Sequence, residues 1–347
     1  MTVRFRRSMK IAPGVRINFN THSTSLSLGP RGAHYTMSST GRRTVSAGIP
    51  GTGLYAYETV NPKRPSTSAR SKASLKDLES FDGPTPKPAL LASRYEKAFY
   101  SFLTETYGAS TPVEPKTVVA NAKALRDKYE ELIYPLNLIA FLYILNDEDY
   151  EEKILTMGEN LWQDRERAFT DPMVLKYFQG IRPVTRITDG ISATEILNQQ
   201  QFGLIWVEVL QAHEKFESAL TVLHELTPDQ VVAVSMADIE LALKDYDAVF
   251  ETTNEITNED DATAILLVQR GIAFREKALF DAALECFKQA LAKRSRSQAM
   301  LNRAHLERAL TYKKMNKPTQ ARKDLELVLV NEPTNEDVIA LIKTLTD

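Results

Sequence analysis

The chain has 347 residues, 43 % apolar and 25 % charged, which leaves room for two or three globular domains, each with its own core. Its net charge of −2 hides an asymmetry: residues 1–76 hold thirteen Lys and Arg against one acid, Glu58, and are near +12, while the remainder is near −14. The lone Cys286 excludes an intrachain disulfide, the start MTVRFRRSMKIAPGV lacks a signal peptide's apolar run, and no stretch approaches the ~18 apolar residues of a spanning helix, so the expectation is a cytoplasmic protein without a transmembrane segment.

Residues 1–60 read as short strands. Val15, Ile17 and Phe19 alternate with Arg16, Asn18 and Asn20, and the period returns at Leu26 and Leu28, Tyr35 and Met37, and Val45, Ala47 and Ile49. Turn signals separate the runs: Pro13-Gly14, Gly29-Pro30-Arg31-Gly32, Thr40-Gly41 and Pro50-Gly51-Thr52-Gly53. Such spacing predicts an antiparallel meander with one apolar and one polar face. Residues 61–88, rich in Pro, Ser, Thr, Lys and Arg, bury too little apolar surface to fold alone and are expected to form a flexible linker.

From residue 89 the period is helical. Leu90, Leu91, Tyr95, Ala98, Phe99 and Phe102 make one stripe, and Val118 to Ile133 a second, preceded by Pro115. Leu136 to Leu145, ten residues including Asn137, read as a buried core helix, and Tyr150–Trp162 and Met173–Phe178 continue the helical pattern. The stretch from Gly180 to Gly190 predicts a structured loop or a small hairpin. Helix is then expected to resume near Ser192, an N-cap with Glu195 three residues on.

The C-terminal third repeats itself. Gly271, Phe274, Ala283, Phe287 and Ala290 recur 38 residues later as Ala309, Tyr312, Ala321, Leu325 and Val328, with Pro333 following. Weaker copies centre on Ala219 and Ala248. This spacing of small and large apolar residues resembles the tetratricopeptide repeat, in which small residues let the two helices of a hairpin approach closely. At the other end, Arg4-Phe5-Arg6, Pro13-Gly14-Val15-Arg16-Ile17-Asn18, Ser25-Leu26-Ser27-Leu28-Gly29 and the closing Gly48-Ile49-Pro50-Gly51-Thr52-Gly53-Leu54 resemble the bacterial domain-of-unknown-function family numbered 4236, a resemblance that implies a fold and a bacterial origin but no activity. It departs at Asn20-Thr21-His22-Ser23. The expected fold class is α+β in separate domains, a small antiparallel β module followed by an all-α tetratricopeptide-like repeat domain. Its boundaries are a basic β module over 1–60, a linker over 61–88, a helical domain of degenerate repeats or a capping bundle over 89–199, and repeats over 200–347.

No constellation in the sequence indicates catalysis, a cofactor or a metal. His22, His34, His213, His224 and His305 lack paired ligand spacing, and no Gly-x-x-x-x-Gly-Lys-Ser/Thr loop is present. Cys286 falls in the repeat pattern as a small core residue, and Asn258-Glu259-Asp260-Asp261 suits a helix N-terminus. Two surfaces stand out. Strand alternation lets Arg4, Arg6, Arg16, His34, Tyr55 and Tyr57 share the polar face of the β module, with Arg42 and Arg43 at a strand entrance. This is the arrangement that grips single-stranded nucleic acid by phosphate contact and stacking, although the same residues also serve as a solvated face that discourages edge pairing, and the charge asymmetry also lets the two halves of the chain attract each other. The tetratricopeptide resemblance in turn implies a groove faced by Ile265, Val268, Ile272 and Arg275, then Arg303, Leu306, Leu310 and Lys313. That mixed apolar and basic face suits an acidic–hydrophobic segment of a protein or peptide partner, or of a second copy of the chain by self-association. The function expected is a non-enzymatic scaffold or adaptor that binds through this groove, the alternative being nucleic-acid binding by the basic module.

Overall fold

The computed structural model describes the backbone of six strands between residues 7 and 59, and the chain at 86–107, 113–145, 147–188 and 191–345. The linker expected at 61–88 lies outside the described residues up to 85, as does the Pro50–Gly53 turn. Strands β1 (Arg7–Ala12), β2 (Val15–Asn20), β3 (Ser23–Leu28), β4 (Ala33–Ser38), β5 (Arg43–Gly48) and β6 (Tyr55–Thr59) pair antiparallel in chain order. This is the meander that the alternation predicts. Ile17 pairs with Leu26 and Leu26 with Met37, whereas Arg16 pairs with Ser27 and Ser27 with Thr36. Because the period of a strand is two, Ile17, Leu26 and Met37 hold positions on one face and Arg16, Ser27 and Thr36 on the other.

The helices begin with α1 (Arg94–Tyr107), α2 (Pro115–Lys128), α3 (Ile133–Ile144), α4 (Glu151–Gln163), α5 (Arg165–Thr170) and α6 (Pro172–Tyr177). A hairpin of β7 (Val184–Thr188) and β8 (Ile191–Thr194) follows. The chain then runs through α7 (Gln199–Ala212), α8 (Phe216–Glu225), α9 (Gln230–Leu243), α10 (Tyr246–Thr252), α11 (Asp261–Glu276), α12 (Phe280–Ala290), α13 (Gln298–Lys314), α14 (Pro318–Asn331) and α15 (Glu336–Lys343). Ser192 is therefore not an N-cap: it lies in β8, where Ile191 and Ala193 are buried and Ser192 and Thr194 exposed. The cap is Asn198, whose Oδ1 accepts the Gln201 amide at 2.8 Å. Asp260 caps α11 in a capping box with Thr263, each satisfying the other's backbone N–H.

From α7 onward four helical hairpins share one turn. Glu214, Lys244, Ala278 and Asn316 all have φ between 55° and 65°. Each stands two residues before the second helix of its pair. In each turn the next residue's amide reaches back to a carbonyl five positions earlier at 2.9 Å: Lys215 to Leu210, Asp245 to Glu240, Leu279 to Phe274 and Lys317 to Tyr312. The left-handed residue's own amide bonds the carbonyl three before it, completing a Schellman motif. Five residues past each left-handed position lies a fully buried anchor: Ala219, Val249, Ala283 and Ala321. The second repeat is thus anchored by Val249, not by Ala248, which is only half-buried.

The two helices of a hairpin approach closely where one supplies no side chain. A β-carbon at Gly271 in α11 would come within 2.6 Å of the Phe287 ring in α12. Gly158 in α4 is likewise pressed against the Trp206 ring of α7, and Gly203 of α7 against Leu226 and Trp162. These contacts belong to one apolar cluster that runs from Phe99 to Ala304. A second, smaller cluster holds Ala309, Ala321, Leu325, Val328 and Val338 at the C-terminal end.

Two substitutions with opposite signs test this turn and packing. Ala278→Gly removes an exposed methyl from a left-handed position that disfavours L residues by ~1–2 kcal/mol, so net of glycine's extra unfolded-state entropy it should raise stability by up to ~1 kcal/mol. Gly271→Val should lower it by at least ~1–3 kcal/mol through overpacking against Phe287. Urea denaturation of both variants reads the signs.

Candidate functional site

In the frame set by the turns, the predicted groove positions of α11 and α13 correspond to Gln201, Leu204, Glu208 and Gln211 on α7, and to Val231, Val234, Asp238 and Leu241 on α9. The structure divides this face in a way the sequence did not suggest. Ile265, Val268, Ile272 and Arg275 are 1–4 % exposed. They do not present a surface, because α9 and α13 pack on either side of α11 and the three apolar side chains join the continuous core. At the first repeat the β7–β8 hairpin covers the same face. Gln201, 1 % exposed, donates from Nε2 to Thr185 Oγ1 at 2.8 Å and to the Pro183 carbonyl at 3.1 Å.

Arg275 is committed to an internal ion pair. Its Nη1 meets Glu307 Oε2 at 2.7 Å, and its Nε meets Glu276 Oε1 at 3.0 Å. Arg303 holds the other oxygen of Glu307 at 2.9 Å, and Lys314 holds Glu276 at 2.8 Å. Burial works against the Glu276 carboxylate, yet Lys314 and Arg275 keep it below its ordinary pKa. Burial would likewise lower the Arg275 guanidinium, but Glu307 outweighs it and raises the group further. A network of this kind joins α11 to α13 and locks two of the predicted groove cations into structure.

What remains accessible is the face of α13. Leu306 and Leu310 are half-buried one turn apart, and Lys313 is exposed, its Nζ donating to Thr344 Oγ1 at 2.9 Å. Arg303 completes the stripe at the N-terminal end, half-buried against Glu307. Behind this face, Asp324 of α14 is buried and bonded by Arg308, at 2.7 Å from Nε, and by His305 Nδ1 at 3.0 Å. Burial alone would raise the Asp324 carboxyl; the Arg308 and His305 hydrogen bonds hold it below its usual range instead. Cys286 is buried on α12, and burial pushes its thiol up, away from reactivity. Among the described residues no three His, Cys, Asp or Glu side chains gather in a metal-binding group.

In the sheet, Arg16 lies in β2, His34 in β4, and Tyr55 and Tyr57 in β6. The ladder from Arg16 through Ser27, Thr36 and Thr44, with His34 opposite Ser46 and Ser46 opposite Tyr57, puts these four positions on one face. Arg43 opens β5 opposite Met37, on the other face. Arg4, Arg6 and Arg42 lie outside the described residues.

The helical part is thus a repeat of hairpins with one partly open apolar and basic face. No helix among the described residues is long and apolar enough to cross a membrane. Residues 3–56 match the family model described as "Protein of unknown function (DUF4236)". Among solved structures, the chain is similar to the N-terminal domain of the EccA1 ATPase from the ESX-1 secretion system of Mycobacterium tuberculosis. The TM-score is 0.53 at 13 % identity, over 72 % of this chain and 88 % of that one. At that identity the likeness shows the fold. No curated protein matches the sequence.

The buried joint generates a clear expectation. Glu307→Leu leaves the Arg275 guanidinium, 4 % exposed, with only Glu276 of its two carboxylates and should cost about 3 kcal/mol, whereas pairing it with Arg275→Met should restore most of that loss. A double-mutant cycle in urea that gives a coupling below ~0.5 kcal/mol would show the pair to be incidental.

Proposed function

We propose that the protein is a non-enzymatic scaffold whose helical repeats, of tetratricopeptide type, hold an acidic–hydrophobic segment of a protein partner against α13. The observation that carries this reading is the pair of half-buried leucines, Leu306 and Leu310, set between Arg303 and Lys313 on one helical stripe. Apolar side chains spaced at i and i+4 grip the alternate apolar residues of a docked segment, and the exposed Lys313 at the C-terminal end of the stripe selects its acids. The helical hairpin fold that the chain shares with the EccA1 domain supports a binding module. A segment of a second copy would satisfy the same face. Selection from a random peptide display library against the full chain should enrich sequences with Asp or Glu flanking apolar residues. Leu310→Asp and Lys313→Glu should each weaken a selected peptide by about tenfold, or ~1.4 kcal/mol, with the helical circular dichroism unchanged. An absence of enrichment, or equal binding by both variants, would overturn this reading.

The charge asymmetry favours a second reading, in which the basic N-terminal segment binds nucleic acid. Residues 1–76 are near +12, and Arg16, His34, Tyr55 and Tyr57 share a sheet face by register. Binding of the full chain to single-stranded RNA should weaken with salt at a log–log slope of roughly −0.7 per neutralised phosphate. Tyr57→Ala should weaken binding with little change in that slope, because stacking releases no counterions. If no RNA or DNA binds at ~50 mM salt, the asymmetry belongs to contact within the chain or with an acidic partner.

A further inference from the structure

Away from the repeats, α2, α3 and α4 enclose an open groove of about 750 Å³. Lys123 and Arg126 project into it from α2 and Lys153 from α4. Its floor is α3, a helix buried on almost every side, whose polar interruption at Asn137 is half-buried and lines the groove. Asn137 accepts a hydrogen bond from Arg126 Nη1, so a side chain that breaks an otherwise apolar helix is used to aim a guanidinium.

The geometry points to a binding site for a small phosphate-bearing polyanion, held by Arg126 and Lys153 with Lys123 at the mouth. Guanidinium and ammonium groups on two helices of the groove, with one of them pre-oriented by the half-buried Asn137 amide, provide the charge-assisted donors that phosphate oxygens need. Slight desolvation of the otherwise exposed Lys153 ammonium and the like charges of Arg126 and Lys123 push it below its ordinary range, an unfavourable arrangement that a bound anion relieves. Acids are also present. Asp127 pairs with Lys123 at 2.6 Å, but both side chains are more than half exposed, so the pair is weak and easily exchanged. Asp149, Glu151 and Glu152 line the α4 side of the groove and restrict the ligand to one that reaches Lys153 and Arg126 without crossing them. Val119, Ala122 and Met157 add an apolar wall for the non-ionic part of such a molecule.

Titration of the full chain with inorganic pyrophosphate, followed by calorimetry at ~50 mM salt, tests the assignment. Saturable binding is expected, with Lys153→Gln and Arg126→Gln each reducing affinity roughly tenfold. Lys153 is exposed, so its replacement leaves the fold intact. NMR of the methylated lysines should show the Lys153 pKa rising when pyrophosphate binds. Binding unaffected by Lys153→Gln would assign the anion to the basic N-terminal segment and overturn the proposal. Absence of saturation at millimolar pyrophosphate would do the same. Tighter binding of a phosphoserine peptide than of pyrophosphate would replace the small molecule with a protein ligand.

Discussion

The helical part of this protein rests on one backbone constraint: a residue held in the left-handed region between two helices. With Glu214, Lys244, Ala278 or Asn316 in that conformation, the chain reverses and the next amide closes on the carbonyl five residues back. That bond fixes the phase of the second helix relative to the first, and so decides which side chain meets which. The anchors at Ala219, Val249, Ala283 and Ala321 follow from it at constant offset, and the contact of Gly271 with Phe287 becomes possible only in that phase. None of the four left-handed residues is glycine. The backbone strain this implies is offset by packing, since each turn is the start of a helix whose inner face is fully buried.

How much of this was legible depended on the range of the interactions. The helical stripes and the acidic run 258–261 at the start of α11 are local and were readable as such, except that Leu90 and Leu91, expected in the first stripe, lie in a turn before α1 and are exposed. Ala248 was misread for a different reason. The turn before α10 keeps the same offset from its left-handed residue to its anchor as the others, and the slot falls to Val249, a larger side chain than the small residue the pattern leads one to seek, with the small Ala248 beside it. Ser192 looked like a cap because Glu195 follows at the right distance, yet the alternation of Ile191 and Ala193 against Ser192 prevails once the hairpin has a helix to cover. The burial of Ile265, Val268 and Ile272 had no sequence signal. A repeat pattern says which face a residue occupies within its own hairpin, but not how tightly neighbouring hairpins close over it. The one clue to the groove on α2–α4 was Asn137 within an apolar run, a residue too polar for its surroundings unless it has a partner.

The joints along the array differ in chemistry. Up to α12 the hairpins share one continuous apolar cluster. At the α11–α13 joint that cluster ends near Ala304, and Arg275, Glu307, Arg303, Glu276 and Lys314 take over. An apolar contact tolerates small slides, whereas a buried guanidinium with its donors divided between two carboxylates tolerates very little, so the ionic joint sets the angle of the last hairpin more narrowly than it stabilises it.

That last hairpin also has its own small core, around Leu325 and Val328. In a linear array each unit is stabilised by its own packing and by its contacts with its neighbours. The segment from the middle of α13 to α15 packs around this separate core, apart from the cluster that joins the hairpins before it, and a unit with its own packing opens separately from the rest. Leu306, Leu310 and Lys313 lie on that unit. A segment docked there would be bound by a surface that it also helps to close, so part of its binding free energy would be spent on ordering the array, and occupancy would be recorded as rigidity at the far end of α14 and α15.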